Sequence, residues 1–99
     1  MNRDTVFPRY FTLAVPDEAM APNLPRGTML IFETGAAPEI GDTVLVSDAS
    51  GTRHVRKYCQ VRGAHWEAQA INADYASFES ERDGLAIVAV QRFVGTGKA

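Results

Sequence analysis

His54, Cys59 and His65 are the residues of this chain best suited to hold a metal, and they lie close together in sequence. Their spacing matches no standard zinc pattern, and in a strand His54 and Cys59 fall on opposite faces. They read as a partly buried thiol and two strand or surface histidines. Arg53, His54, Arg56, Lys57 and Arg62 form a basic stretch able to meet phosphates. Strand alternation divides it between two faces, which is the pattern of an ordinary solvated strand. Trp66 and Tyr75 read as sheet-packing aromatics rather than a ligand cage. No metal and no cofactor is expected.

The elements that hold these residues are short strands between turns. Phe11–Val15 alternates apolar with small or polar residues and stops at Pro16-Asp17-Glu18. Pro22 and Pro25 then each remove a backbone donor, so at most one helical turn fits before Pro22. Met29–Phe32 is a continuous apolar run, which predicts a strand buried on both faces. Residues 34–41 form a loop, and Thr43–Val46 is the next strand. Asp48-Ala49-Ser50-Gly51 has the composition of a hairpin turn. The return strand, 52–60, puts Arg53, Val55 and Lys57 on one face and His54, Arg56 and Tyr58 on the other. Another strand covers 65–71, residues 72–75 turn, and Ser80–Gly84 is a polar loop. Leu85–Val90 is a last apolar strand running on to Val94. No window carries a helical apolar period, and there are no repeats. The fold class is all-β, a small partly open barrel or two packed sheets with at most short helical turns. The domain occupies 11–95, between an N-terminal tail (1–10) and a C-terminal one (96–99).

With 99 residues there is room for one domain, and an apolar fraction of 45% can supply its core. A formal charge of −2 argues against a general nucleic-acid binder. The single cysteine cannot form an internal disulfide, which excludes the disulfide-stapled secreted class. No apolar run is long enough to span a bilayer, and the start Met-Asn-Arg-Asp leads into no signal-peptide core. A cytoplasmic domain without membrane contact is expected.

Several segments, in order, resemble the LexA-like S24 peptidases, whose fold is that of phage-repressor C-terminal domains. Glu18-Ala19-Met20-Ala21-Pro22, followed by Leu24-Pro25-Arg26-Gly27 and the apolar strand from Met29, looks like the family's nucleophile turn. Pro38-Glu39-Ile40-Gly41-Asp42-Thr43-Val44 is similar to its Pro-x-x-Gly-Asp-x-Val strand entry. Val55-Arg56-Lys57-Tyr58 resembles the segment bearing the lysine base. Ile71-Asn72-Ala73-Asp74-Tyr75 resembles a Leu-Asn-Pro-x-Tyr turn, and Ile87-Val88-Ala89-Val90 the closing strand. The resemblance implies a serine–lysine peptidase, in which a desolvated lysine takes the proton of the attacking hydroxyl.

Both groups are replaced. The nucleophile position holds Ala19 and the base position Arg56, which stays protonated and cannot accept a proton. A shift of one residue would bring Lys57 to the base position but turn it to the other strand face. The family cleaves an Ala-Gly or Cys-Gly bond, and neither pair occurs in the chain. Residues 1–10 are too few for a helix-turn-helix. A deliberate serine-to-alanine exchange accounts for Ala19 alone, whereas natural degeneration accounts for Ala19 and Arg56 together. A buried Arg56 needs a carboxylate or carbonyl partner, and Asp17 or Glu18 is the expected one.

The expected function is therefore non-catalytic: self-association, as a homodimer, or binding of a repressor or other regulatory protein. The resemblance adds a phage or prophage setting. Leu85, Ile87, Val88 and Val90, apolar on both faces of one strand, are the expected dimer surface. Two alternatives stay open. One is an inactivated or truncated serine–lysine self-cleaving peptidase, with Glu18, Ala19, Met20 and Pro22 lining its cleft. The other is a generic small β-barrel that binds nucleic acid or peptide.

Overall fold

The computed structural model describes residues 9–94. Seven strands form one antiparallel sheet: β1 (Tyr10–Ala14), β2 (Met29–Thr34), β3 (Thr43–Ser47), β4 (Arg53–Arg62), β5 (His65–Gln69), β6 (Phe78–Glu79) and β7 (Ala86–Val94). Their spatial order is β1-β2-β7-β3-β4-β5-β6, and the sheet is not closed. The all-β reading holds, with one open sheet in place of two packed ones and no helix among the described residues. The predicted strands appear within two residues of their expected limits. β6 is additional, a two-residue pairing with β5 between the 72–75 turn and the Ser80–Gly84 loop.

Neighbouring residues of the central strands enter different cores, so both faces of the sheet are covered. Leu45, Val55 and Ala89 join Val15, Met20, Leu30 and Phe32 in a first core, roofed by the loop between β1 and β2. Val44, Val46 and Val90 join Ala68 in a second, against which Tyr58, Trp66, Phe78, Leu85 and Ile87 pack. Trp66 and Phe78 pack on this second core from strands well down the sheet, so its β5–β6 end must curl over that face. Tyr58 and Trp66 touch there with ring centroids 5.3 Å apart.

Two expectations change. β2 alternates: Leu30 and Phe32 are buried, Ile31 is half-buried and Met29 is 37% exposed, so only one face is fully covered. β7 lies inside the sheet, hydrogen-bonded to β2 and β3. Leu85, Ile87 and Val90 belong to the second core and Val88 to the first. The unbroken apolar character of this strand is consumed within the chain.

Charged ties fix the turns and the sheet end. Gly51 supplies the positive φ (88°) that the β3–β4 hairpin requires. The Asp48 carboxylate accepts bonds from Ser50 N and Thr52 N at 2.9 and 3.1 Å and lies 2.9 Å from His54 Nε2. Glu33 meets Arg9 and Arg92 at 2.7 and 2.8 Å, which links β2 to β7. His54 and the Ser50 bonds hold Asp48 far below the ordinary carboxylate range. Arg92, then Arg9, lowers Glu33, and Arg82 lowers Asp83. A carboxyl lowered in the folded state binds fewer protons there than when unfolded, so stability rises with pH across the window between the two values. The contribution of these groups is complete above about pH 4–5 and is lost as pH falls toward their lowered values. Urea midpoints measured from pH 2 to 7 are expected to climb through the acid range and then level off. Asp48→Asn is expected to flatten the acid limb.

Candidate functional site

The loop between β1 and β2 is closed at its base by two bonds of 2.8 Å, Val15 N to Thr28 O and Gly27 N to Val15 O. Inside it Asp17 behaves as short acidic side chains do in turns, its Oδ1 accepting the Ala19 N–H at 3.0 Å. Tight turns follow, Ala21 N to Glu18 O at 3.0 Å and Leu24 N to Met20 O at 2.8 Å. This hairpin of turns drives Ala19 and Met20 into the protein, at 0% and 1% exposure, while Glu18 and Pro22 stay outside.

The segment after β5 clamps the turn. Ala19 O accepts the N–H groups of Ile71 and Asn72 at 2.9 and 2.8 Å. Asn72 Nδ2 donates to Glu18 O at 3.1 Å, and the Tyr75 hydroxyl accepts from Glu18 N at 3.4 Å. Asn72 is itself held by its own turn, its Oδ1 accepting from Asp74 N at 2.9 Å. Tyr75 is thus a clamp on the turn rather than the sheet-packing residue expected, whereas Trp66 does pack on the second core.

Arg56 is 3% exposed and the only buried charged side chain among the described residues. Its Nε donates to Ala76 O at 3.1 Å and its Nη1 to Val55 O at 2.9 Å. Its Cζ lies 5.3 Å from the centre of the Phe78 ring, a cation–π geometry. Burial pushes the guanidinium down from its ordinary value, and the charges of Asp17 and Tyr75 oppose that shift. Asp17 and Tyr75 are also the residues bonded to Ala19 N and Glu18 N, so Arg56 and the turn share their neighbours.

The expected carboxylate partner takes a different form. Arg56 makes no ion pair with a described residue, its bonds go to carbonyls, and Asp17 acts on it only at a distance. Glu18 turns its carboxylate to Arg26 N at 3.5 Å.

Lys57, next along β4, is exposed and lines a groove of about 340 Å³ together with Met20, Leu24 and Ile71. Alternation therefore places the neutralisable amine beside the residue that follows Ala19 and the guanidinium on the opposite strand face. The remaining basic residues scatter: Arg53 and Arg62 are exposed, and His54 lies against Phe78 with ring centroids 4.4 Å apart and the planes tilted by 31°. Cys59 is a half-buried free thiol and His65 pairs with Glu81 at 3.5 Å. No group of three potential metal ligands occurs among the described residues. No helix among them is long and apolar enough to cross a membrane.

The order of these parts is that of a known family: turn, apolar strand, basic strand, asparagine turn and closing strand. The model of the family described as Peptidase S24-like matches residues 2–91. The chain belongs to the Peptidase S24-like family. No curated protein sequence matches it significantly. The turn that resembles the family's nucleophile turn is held by Asn72 and Tyr75. At the positions that resemble the dyad stand a methyl group and a guanidinium, which together can neither attack a carbonyl nor take up a proton.

Sequence reasoning places the turn and Arg56 but does not assign the clamp. Asn72 and Tyr75 fall in a recognisable Asn-x-Asp-Tyr turn, yet nothing in their spacing shows that they reach residues 18 and 19.

Proposed function

We propose that this S24-like domain is non-catalytic and acts by holding protein, either a second copy of itself or another regulatory chain. The observation that carries this reading is Arg56. It is buried, bonded to two carbonyls, and permanently charged at the position resembling the base, while Ala19 at the nucleophile position is a sealed methyl. A serine–lysine mechanism cannot run on this pair, while the turn around Ala19 is held in place by Asn72 and Tyr75. The family resemblance supports a role in phage or prophage repressor regulation within the cytoplasm.

Within the single chain β7 is flanked by β2 and β3, and Leu85, Ile87, Val88 and Val90 pack on the two cores, so it offers less free surface for a dimer than its apolar sequence suggests. The end strands β1 and β6 and the loop surfaces remain for association. Light scattering across a wide concentration range is the test. Mass is expected to rise toward twice the 10.8 kDa of the chain. A strict monomer at high concentration defeats the homodimer and leaves only binding to a different protein.

The intact clamp around Ala19 favours a second reading, a serine–lysine peptidase domain in inactivated form. The scattered basic residues give no comparable support to a nucleic-acid barrel.

A further inference from the structure

The sheet opens at one place. β3 and β7 pair from Ser47↔Ala86 to Val44↔Val90. The next residue on each strand, Thr43 and Gln91, lies instead on the wall of the 340 Å³ groove. The strands part there, and the loop carrying Met20 and Leu24 closes over the gap. Met20 belongs to the first core, so the groove is a continuation of that core toward solvent. Ile71, on its rim, is 37% exposed.

Lys57 is the one charged side chain on this lining. It is exposed and makes no ion pair or hydrogen bond with a described residue. A lining that sets the apolar Met20, Leu24 and Ile71 among the uncharged polar Asn23, Thr43 and Gln91, with a single unpaired positive charge, has a definite complement. That complement is an apolar side chain to displace water from Leu24 and Ile71, with a carboxylate beside it for the ammonium. The amide of Gln91 and the hydroxyl of Thr43 suit the peptide groups between two such side chains. The volume lies within the range of ligand clefts.

We propose that this groove docks an extended segment of a partner protein in which an acidic residue stands next to a large apolar one. The proposal rests on the binding reading above and names its surface and the chemistry of its partner.

The test is an NMR titration of the ¹⁵N-labelled full chain with two blocked peptides, acetyl-Ser-Val-Asp-Leu-Ser-amide and its counterpart with Asn in place of Asp. Amide shifts are expected at Thr43, Lys57, Ile71 and Gln91, with the acidic peptide binding about threefold tighter or more at low salt. Lys57→Glu, at an exposed position whose folding the same spectra verify, is expected to abolish that preference. It should transfer binding to a peptide carrying Lys in place of Asp. Shifts confined to other surfaces, equal affinity for the Asp and Asn peptides, or an unaltered preference in Lys57→Glu would each overturn the proposal. So would groove shifts that follow protein concentration alone, which assign the groove to a second copy. A silent groove in a protein that dimerises by light scattering defeats this proposal and leaves the binding reading intact. Peptide binding by a strict monomer does the reverse to the homodimer.

Discussion

Replacing Arg56 with alanine is expected to lower the unfolding free energy by about 2–3 kcal/mol. For a domain of this size that corresponds to a fall in melting temperature of roughly 10–20 °C. The loss has two sources. The buried stem vanishes and leaves a cavity beside Phe78, and the buried carbonyl of Val55 loses its donor at a site that water does not easily reach. A third contribution has the opposite sign. The guanidinium sits in the interior without an ion-pair partner among the described residues, so its removal relieves a desolvation cost. Arg56→Met separates these effects, because it keeps most of the stem volume while discarding the charge. It is expected to fall within about 1 kcal/mol of the parent. Urea unfolding of both variants checks this. A methionine variant as unstable as the alanine one would mean that the carbonyl bonds, not the packing, hold this part of β4. An alanine variant as stable as the parent would mean that the relieved desolvation cost offsets the lost packing and carbonyl bonds.

The strands of this fold are legible in the sequence because a pleated strand covered on one face writes its alternation into the chain, as Phe11 and Leu13 do. β7 shows the limit of that rule. Its apolar residues suggest a partner outside the chain, but alternate positions feed two internal cores. The pairing also slips at Val88: Leu45 faces Ala89 while Val46 faces Ile87. The extra residue turns Val88 toward the first core, beside Ala89. Periodicity along one strand cannot reveal a bulge, nor which other segment covers a face. β6 escapes for a simpler reason, since two residues carry no period.

The site divides along the same line. Asp17 and Asn72 sit in turns whose chemistry is local, and local chemistry is readable. That Asn72 grips the carbonyl of Glu18 is a long-range fact with no local signature. Arg56 is the sharper case: by composition, Arg53 to Lys57 reads as a solvated strand. Only the resemblance to the base segment singles out Arg56, and only the curl of the sheet buries it.

Ala19→Ser together with Arg56→Lys is expected to produce cleavage of an Ala-Gly peptide supplied in trans, with a rate that rises with pH. Ala19→Ser alone is expected to remain at least about a hundredfold slower, the span that a positioned general base commands. The serine hydroxyl is inert until something takes its proton, and arginine does not release a proton at any pH at which the protein is folded. A lysine at position 56 differs because it can become neutral. The burial that pushes Arg56 down would push a lysine amine down as well, and Asp17 would resist. The direction of the pH profile follows from the sign of these effects. Neutral amine accumulates as pH rises, so activity increases with pH and levels off once the amine is fully deprotonated. The folded protein should show the same titration, gaining stability over that range, because the unfolded chain keeps its lysine protonated to higher pH. Lys57 makes the experiment discriminating. It lies on the groove side of β4 near Met20, and if it were the latent base, Ala19→Ser alone would cleave and Ala19→Ser with Lys57→Ala would not. A folded double variant that stays silent would mean that the turn and strand no longer bring hydroxyl and amine together. That silence would then lie in the backbone arrangement and not only in the side chains at positions 19 and 56.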